Sequence, residues 1–327
     1  MGIINAQHYP GRHCASTALC NLVNYHGIRW SEALCFGIGC GLGIWYLENG
    51  GESLERIIHV RSEDIEEQFF TRIGRTFQWS IYADPGESES DLCAVLDEGR
   101  PAMVQSDIYH LPYYNSGTHF PGHVITVWGY DVDRKVFYVT DTERENMLEV
   151  PFEAMRKARY SKMGFFTIKG NMYAPENISM PDSLPAVLSG AIIDSSRRLM
   201  DAKSKYQGIQ ALKTWIEELD DWKRFNDWKW TARFTYQVIE KRGTGGGGFR
   251  LIYAEFLKEA ASLVPQIPAL GLPELMREAA RAWSDLARAL KGASEREVFD
   301  AGEVRTRLEK VLALESRYHE SALRLAV

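Results

Sequence analysis

The sequence of 327 residues lacks the features that mark several large classes of protein. No uninterrupted apolar run approaches the length of a membrane span, and the first residues do not show the charged and then apolar stretch of a secretory signal peptide. Lys and Arg number 38 against 44 Asp and Glu, and the resulting net charge of −6 argues against a nucleic-acid-binding surface. We therefore expect a cytoplasmic protein without a membrane or nucleic-acid partner.

Cysteine is scarce as well. The five cysteines are odd in number and form no Cys-x-x-Cys pair, so the sequence predicts neither a disulfide framework nor a zinc site. They are Cys14, Cys20, Cys35, Cys40 and Cys93. We expect reduced thiols, no bound metal and no bound cofactor.

The pattern of apolar residues divides the chain into two parts. Up to residue 172, alternation of apolar and polar residues predicts antiparallel strands, one of them over 76–81. From residue 173 onward, helical periodicity replaces the alternation. The predicted fold is therefore α+β over residues 1–172, with a leading helix and an antiparallel sheet, followed by an all-helical domain over residues 173–327.

One cysteine lies where a nucleophile is expected. Apolar residues after Cys14 recur at the spacing of one helical face, and the turn Tyr9-Pro10-Gly11 before it cannot be helix interior. The Cys14 thiol is therefore predicted in the first turn of a buried helix, where unpaired N–H groups and the helix dipole favour a thiolate. Such a cysteine is a candidate nucleophile if a base can reach it.

A histidine and an aspartate supply the base and the residue that orients it. His123 opens an apolar strand, and Asp141 ends the next one. A five-residue loop over 130–134 would place His123 directly opposite Asp141 with both side chains on one face, whereas a four-residue loop would place them on opposite faces. The sequence thus predicts a catalytic triad of Cys14, His123 and Asp141, in which the carboxylate fixes the imidazole and stabilises its charged form.

Further residues are predicted around this triad. An oxyanion requires N–H groups aimed at the developing charge, and the backbone N–H of Cys14 is the expected donor. The side-chain amide of Gln7 is either a second donor or a solvated group of a terminal residue. His13 is either a structural histidine or a substrate contact. Tyr109 and His110 belong to a loop beside the expected cleft, where packing within the loop and contact with the substrate are both open.

The same residues carry a resemblance to a known family. Residues 11–19 (GRHCASTAL), with YHG at 25–27, SEAL at 31–34 and FGIG at 36–39, resemble the butirosin-biosynthesis acyltransferase (BtrH-type) family. The pattern of the triad is similar to papain-like cysteine enzymes related to bacteriocin-processing peptidases. Residues 245–257 (GGGGFRLIYAEFL) resemble the C-terminal helical domain of the BtrH-type family.

The resemblance implies acyl transfer in the biosynthesis of a specialised metabolite such as an antibiotic. Cys14 would take an acyl group from the phosphopantetheine thioester of an acyl-carrier protein, and His123 would activate an amine or hydroxyl of a small-molecule acceptor. The carrier's phosphopantetheine arm would be the only cofactor involved. The glycine run 245–248 opens a helix that either binds the phosphate of that arm with Arg250 or forms a flexible loop. Tyr253 is a further substrate-binding candidate.

The triad is also compatible with other reactions. One is release of a thioester by cyclisation, such as a Dieckmann-type carbon–carbon closure, and another is hydrolysis by a cysteine peptidase or amidase. A binding module that retains the fold without catalysis is a third alternative. The helical domain favours a covered site for a bulky acceptor over an open protease cleft, and the presence of all three triad residues argues against a binding module.

Overall fold

The computed structural model describes residues 3–49, 54–163 and 167–325. The helices are α1 (Cys14–Tyr25), α2 (Glu32–Ile38), α3 (Ile65–Arg72), α4 (Pro85–Asp97), α5 (Phe152–Arg159), α6 (Leu184–Met200), α7 (Gly208–Glu218), α8 (Trp228–Glu240), α9 (Arg250–Ala260), α10 (Gln266–Ala269), α11 (Leu272–Ser294) and α12 (Ala301–Ala322). The strands are β1 (Leu42–Glu48), β2 (Arg56–Arg61), β3 (Ala102–Ser106), β4 (His123–Asp131), β5 (Val136–Thr140), β6 (Leu148–Pro151) and β7 (Met172–Tyr173). Within the described ranges, no helix has both the length and the apolar character of a membrane span.

The chain forms two compact units. The first comprises residues up to Cys35 together with Ile73–Met180, and the second comprises Phe36–Arg72 together with the chain from Pro181 onward. A leading helix and an antiparallel sheet make up the first unit, and the chain after Pro181 is helical, so the predicted fold class is confirmed. The predicted division between residues 172 and 173 differs from this arrangement, because the segment Phe36–Arg72 leaves the first unit and joins the second.

The first unit is built on a five-stranded antiparallel sheet with the strand order β6-β5-β4-β3-β7. Ile125 and Val127 of the central strand β4 pack on one face with residues of α4 and α5 in the hydrophobic core. Helix α1 packs against β4, where Asn21 Nδ2 donates to the hydroxyl groups of Thr126 and Thr140, each at 3.2 Å. The sheet thus anchors α1 to the two strands that carry the predicted histidine and aspartate.

The predicted strand over 76–81 is wrong for most of its length. Only Ser80 of these residues forms a bridge, exchanging backbone hydrogen bonds of 2.9 and 3.0 Å with Met172. Phe77 and Trp79 are half-buried because their rings contact each other, and Phe77 also contacts the ring of Tyr173. The apolar alternation therefore reflects a small aromatic cluster instead of a ladder of strand hydrogen bonds.

The second unit encloses a cluster of ionisable side chains. Arg250 of α9 and Glu315 of α12 form a fully buried ion pair, with Nε and Oε1 2.8 Å apart. His319 Nε2 and Trp283 Nε1 also contact the Glu315 carboxylate, at 3.2 and 2.7 Å. Burial acts to raise the pKa of Glu315, but the charge of Arg250 and the hydrogen bond to His319 hold that pKa well below its usual range. The carboxylate is therefore the counter-charge that makes burial of the guanidinium tolerable.

Replacing Glu315→Gln should destabilise the protein strongly, because it leaves the Arg250 guanidinium buried without a counter-charge. We expect the free energy of unfolding to fall by about 3–5 kcal/mol, measured by urea denaturation. Glu278→Gln is the matched control, since Glu278 of α11 pairs with Arg317 of α12 at 3.8 Å and both side chains are exposed. Glu278→Gln should lower the free energy of unfolding by less than about 1 kcal/mol. Equal losses in the two variants would contradict the importance of the buried pair.

Candidate active site

Helix α1 begins at Cys14, as predicted from the residues before and after it. His13 caps the helix, with Nδ1 accepting a hydrogen bond from the Ser16 N–H at 3.3 Å. His13 is buried and acts as the capping residue, while its contact with a substrate stays a prediction. Only 9% of Cys14 is exposed. The N–H groups of the first turn lack acceptors within the helix, and their field at the sulfur favours the thiolate.

His123 and Asp141 are in direct contact. His123 is the first residue of β4, and Asp141 immediately follows the last residue of β5. Nε2 of His123 lies 2.9 and 2.8 Å from the two carboxylate oxygens of Asp141. Both residues are buried. Because the carboxylate engages Nε2, it fixes the orientation of the ring and leaves Nδ1 for another partner.

The register that brings these residues together differs from the predicted one. The turn between β4 and β5 covers 132–135 and is one residue shorter than predicted. That turn alone would place Asp141 on the face opposite His123, but a β-bulge at Trp128 adds one residue to β4. Continuing the observed register places Asp141 opposite Ile125, so Asp141 is a diagonal neighbour of His123 on the same face. The predicted direct pairing is therefore wrong, although the contact it was meant to explain is present.

Cys14 and His123 are hydrogen-bonded to each other. Burial acts to lower the pKa of His123, but the charge of Asp141 and the hydrogen bonds to Asp141 and Cys14 outweigh burial and raise that pKa to about 10. For Asp141, burial acts to raise the pKa, while the charge and hydrogen bond of His123 lower it overall. At neutral pH the imidazole therefore carries a positive charge beside an ionised carboxylate, which is the state that pairs with a thiolate.

Two tyrosines without a predicted role contact the triad. The Tyr113 hydroxyl donates to Asp141 Oδ2 at 2.8 Å, and the Tyr114 hydroxyl lies 3.3 Å from Nε2 of His123. The Arg144 guanidinium lies over both tyrosine rings, 5.8 and 5.6 Å from their centroids. Burial and the charge of Asp141 raise the pKa of Tyr113 well above its ordinary value, so its hydroxyl stays protonated and remains a donor. The available signal in the sequence is the pair of adjacent tyrosines in the loop before the histidine.

Tyr109 and His110 lie in the same loop, in a 3₁₀ turn that ends at His110. Tyr109 is 45% exposed, and its ring stacks on that of His119 with the centroids 4.0 Å apart. His110 is half-buried and contacts the Tyr109 ring edge-on. Both side chains are thus partly accessible, and they lie on the loop that also supplies the two tyrosines in contact with the triad.

In the described part of the chain, one group of side chains has its ligand atoms close enough together to hold a metal ion. It consists of Asp107, His110 and His119, whose ligand atoms lie within 4.8 Å of one another. The Asp107 carboxylate already accepts two backbone N–H groups at Oδ1, and it accepts from His119 Nδ1 and Ser161 Oγ at Oδ2. These bonds use the lone pairs that a metal would require. We therefore attribute the cluster to internal support of the loop.

Gln7 lies in an N-terminal segment that runs beside α1 and the chain after β5. The neighbouring His8 contacts Asn21 of α1, with Nδ1 and Oδ1 3.1 Å apart. The Gly11 N–H donates to the carbonyl oxygen of Thr142 at 2.9 Å. The Gln7 side chain is half-buried in this segment, so an amide donor near the first turn of α1 remains a prediction.

Arg250 and Tyr253 occupy positions that differ from their predicted role in substrate binding. Both side chains are fully buried in the second unit, and Arg250 is committed to Glu315. In the glycine run before them, the Gly247 N–H donates to the carboxylate of Glu240 at 3.1 Å. A protein carboxylate thus stands where the phosphate was predicted, and neither Arg250 nor Tyr253 is offered to a ligand from solvent.

Comparison with known proteins adds two matches. Residues 13–142 match the family model described as butirosin biosynthesis protein H, N-terminal. That match contains Cys14, His123 and Asp141. Residues 153–322 match a domain of unknown function, DUF4872, which covers the helices from α6 to α12. No curated protein matches the chain.

Asp141→Asn should reduce stability in a pH-dependent way. Because the pKa of His123 is raised from 6.5 to about 10, its contribution to stability is complete below pH 6.5 and is lost as the pH rises towards 10. Asp141 has an ordinary value of 3.8 and a lowered pKa, so it stays ionised throughout this range. We expect the free energy of unfolding, measured by urea denaturation, to be about 3 kcal/mol higher for the wild type than for Asp141→Asn at pH 6. The difference should be smaller at pH 10.

Asp133→Asn serves as the control for that measurement, since Asp133 is exposed in the turn between β4 and β5. Its effect should be small and independent of pH. A stability difference between wild type and Asp141→Asn that stays constant from pH 6 to pH 10 would contradict the coupling of the two charges.

Proposed function

Since the chain belongs to the family of butirosin biosynthesis protein H (BtrH-type), we propose that it is an acyltransferase of specialised-metabolite biosynthesis that works through an acyl-Cys14 intermediate. The observation that carries the proposal is the contact of three buried side chains. Cys14 is hydrogen-bonded to His123, whose Nε2 lies 2.8 Å from Asp141. A thiol at a helix N-terminus with an oriented imidazole is an arrangement suited to nucleophilic catalysis.

The proposed donor is the thioester on the phosphopantetheine arm of an acyl-carrier protein. The Cys14 thiolate attacks the thioester carbonyl, so a bond forms between its sulfur and the acyl carbon while the bond to the pantetheine sulfur breaks. The leaving sulfur takes its proton from the His123 imidazolium. Because one thioester replaces another, the exchange is nearly neutral in free energy and needs mainly positioning.

The proposed acceptor is an amine or hydroxyl of a small molecule. Its nitrogen or oxygen attacks the acyl carbon of acyl-Cys14, and neutral His123 takes the proton that the acceptor loses. Cys14 leaves as a thiolate, which restores the thiolate–imidazolium pair. The Cys14 N–H and the Gln7 amide are the proposed donors to the oxyanion formed in each half of the reaction.

Tyr109 and His110 are proposed to contact the acceptor or the pantetheine arm. Their partial exposure supports this assignment, as does their place on the loop that carries Tyr113 and Tyr114. Arg250 and Tyr253 are left out of the proposed site because their side chains are fully buried.

Incubation with acyl-pantetheine thioesters should add the mass of one acyl group to the intact protein. We expect no such gain in Cys14→Ala. Labelling should be slowed by at least about 100-fold in His123→Ala, because the imidazolium that stabilises the Cys14 thiolate and protonates the leaving sulfur is lost. Cys93→Ala is the matched control, since Cys93 is a half-buried cysteine without a role in the proposal, and it should label normally. Labelling that persists in Cys14→Ala would refute the nucleophile.

The fate of the acyl group separates the reactions. Adding a primary amine to the isolated acyl-enzyme should yield an N-acyl product and free Cys14. Release of the free acid alone would indicate a hydrolase, and a cyclised acyl product formed without acceptor would indicate thioester release by ring closure. Cleavage of peptides without any acyl-enzyme from thioesters would replace the proposal with a peptidase.

A further inference from the structure

Glu32, the first residue of α2, directs its carboxylate to the N-terminal end of α1. The carboxylate accepts from the backbone N–H groups of Arg12 and His13 at 2.9 and 2.7 Å. It also accepts from the hydroxyl groups of Ser16 and Thr17 at 3.1 and 3.2 Å. Since backbone N–H groups can only donate, the Glu32 oxygens must act as acceptors, which is the pattern of an ionised carboxylate.

The fit around this carboxylate is tight. A methyl group at Gly11 would lie 2.2 Å from Thr17 Oγ1 and 2.8 Å from Glu32 Cδ, closer than any real contact. The N–H of Gly11 is itself bonded to the carbonyl of Thr142. The backbone that leads into Cys14 is therefore held on one side by Thr142 and on the other by Glu32.

The charge of Glu32 opposes the thiolate that the rest of the site favours. It accepts from the His13 N–H and the Ser16 hydroxyl, which belong to the residue before Cys14 and the second residue after it, so its negative charge faces the first turn of α1. The titratable groups around Cys14 are His123 of β4 with Asp141 beside it, Tyr114 of the preceding loop and His13 on its own helix. Against Glu32 itself lie the backbones of Arg12 and His13. Burial raises the pKa of Glu32 above its ordinary value, and the hydrogen bonds from residues 12, 13, 16 and 17 limit that rise by favouring the ionised form.

We propose that Glu32 is a positioning residue of the candidate active site, which fixes the backbone of residues 11–13 and moderates the acidity of the Cys14 thiol. With the helix N-terminus partly neutralised by Glu32, ionisation of Cys14 depends on the ion pair with His123. A thiolate that is less stabilised is also more nucleophilic, because nucleophilicity rises with thiol basicity.

The inference has a consequence for the oxyanion. The N–H groups of Arg12 and His13 are already bonded to Glu32, so they are withheld from an oxyanion formed at Cys14. The inference rests on the proposed role of Cys14 as the nucleophile, but not on the identity of the acyl donor or the acceptor.

The test is the pH dependence of Cys14 alkylation by iodoacetamide in the full-length protein, followed by mass spectrometry of the Cys14 peptide. Glu32→Gln keeps the shape of the side chain and removes its charge. We expect its alkylation midpoint to move to lower pH by about one unit. The plateau rate should fall about two- to three-fold, because a less basic thiolate is a weaker nucleophile.

Thr17→Val is the matched control, since it removes one hydrogen bond to the carboxylate and keeps the charge. Its midpoint should stay within about 0.2 pH unit of the wild type, which separates the charge of Glu32 from general disturbance of the loop. An unchanged or raised midpoint in a folded Glu32→Gln protein would overturn the proposal.

Glu32→Asp provides a second route if Glu32→Gln does not fold. The shorter side chain keeps the charge and loses contacts, so its melting temperature should fall while the midpoint stays near that of the wild type. If the alkylation midpoint of Glu32→Asp moved down by a full pH unit, the charge of Glu32 could not be the cause of the shift, and the proposal would be overturned. Failure of acyl transfer with these alkylation profiles intact would refute the proposed reaction and leave the role of Glu32 standing.

Discussion

The contact between His123 and Asp141 depends on one extra residue in β4. The bulge at Trp128 is fixed on several sides: the Trp128 ring is fully buried, its Nε1 donates to the Thr140 hydroxyl at 2.8 Å, and its carbonyl accepts from the Ile4 N–H at 2.9 Å. These contacts hold the shift in register that brings the carboxylate to the imidazole. The orientation of the histidine ring, and with it the direction of its second nitrogen, follows from that shift.

The features that could be predicted from the sequence are those with local signals. The start of α1 at Cys14 follows from a Pro-Gly turn and from apolar spacing over a few residues, and the change from alternating to helical periodicity marks the fold class. The register of β4 and β5 has no local signal, because a bulge is stabilised by contacts from other parts of the chain. A prediction that assumed regular pairing reached the right pair of residues through the wrong geometry.

Partners far apart in the sequence account for the other differences. An arginine after a glycine run has the same local pattern whether it binds a phosphate or, like Arg250, pairs with a carboxylate 65 residues later. The transfer of Phe36–Arg72 to the second unit is equally invisible to periodicity, since strands and helices are patterned alike wherever they pack. Glu32 also gives no local signal of its position at the nucleophile helix, since it belongs to the next helix and reaches α1 only in the folded unit.

The bulge makes turn length and strand geometry interdependent. Side chains alternate between the faces of a strand, so adding one residue to the turn at 132–135 would move Asp141 to the face opposite His123 unless the bulge at Trp128 disappeared at the same time. Only changes that keep the same parity between histidine and aspartate preserve the contact. In evolution, the turn of this hairpin can therefore gain two residues and keep the contact. A one-residue insertion in the turn requires a second insertion or deletion in the strand.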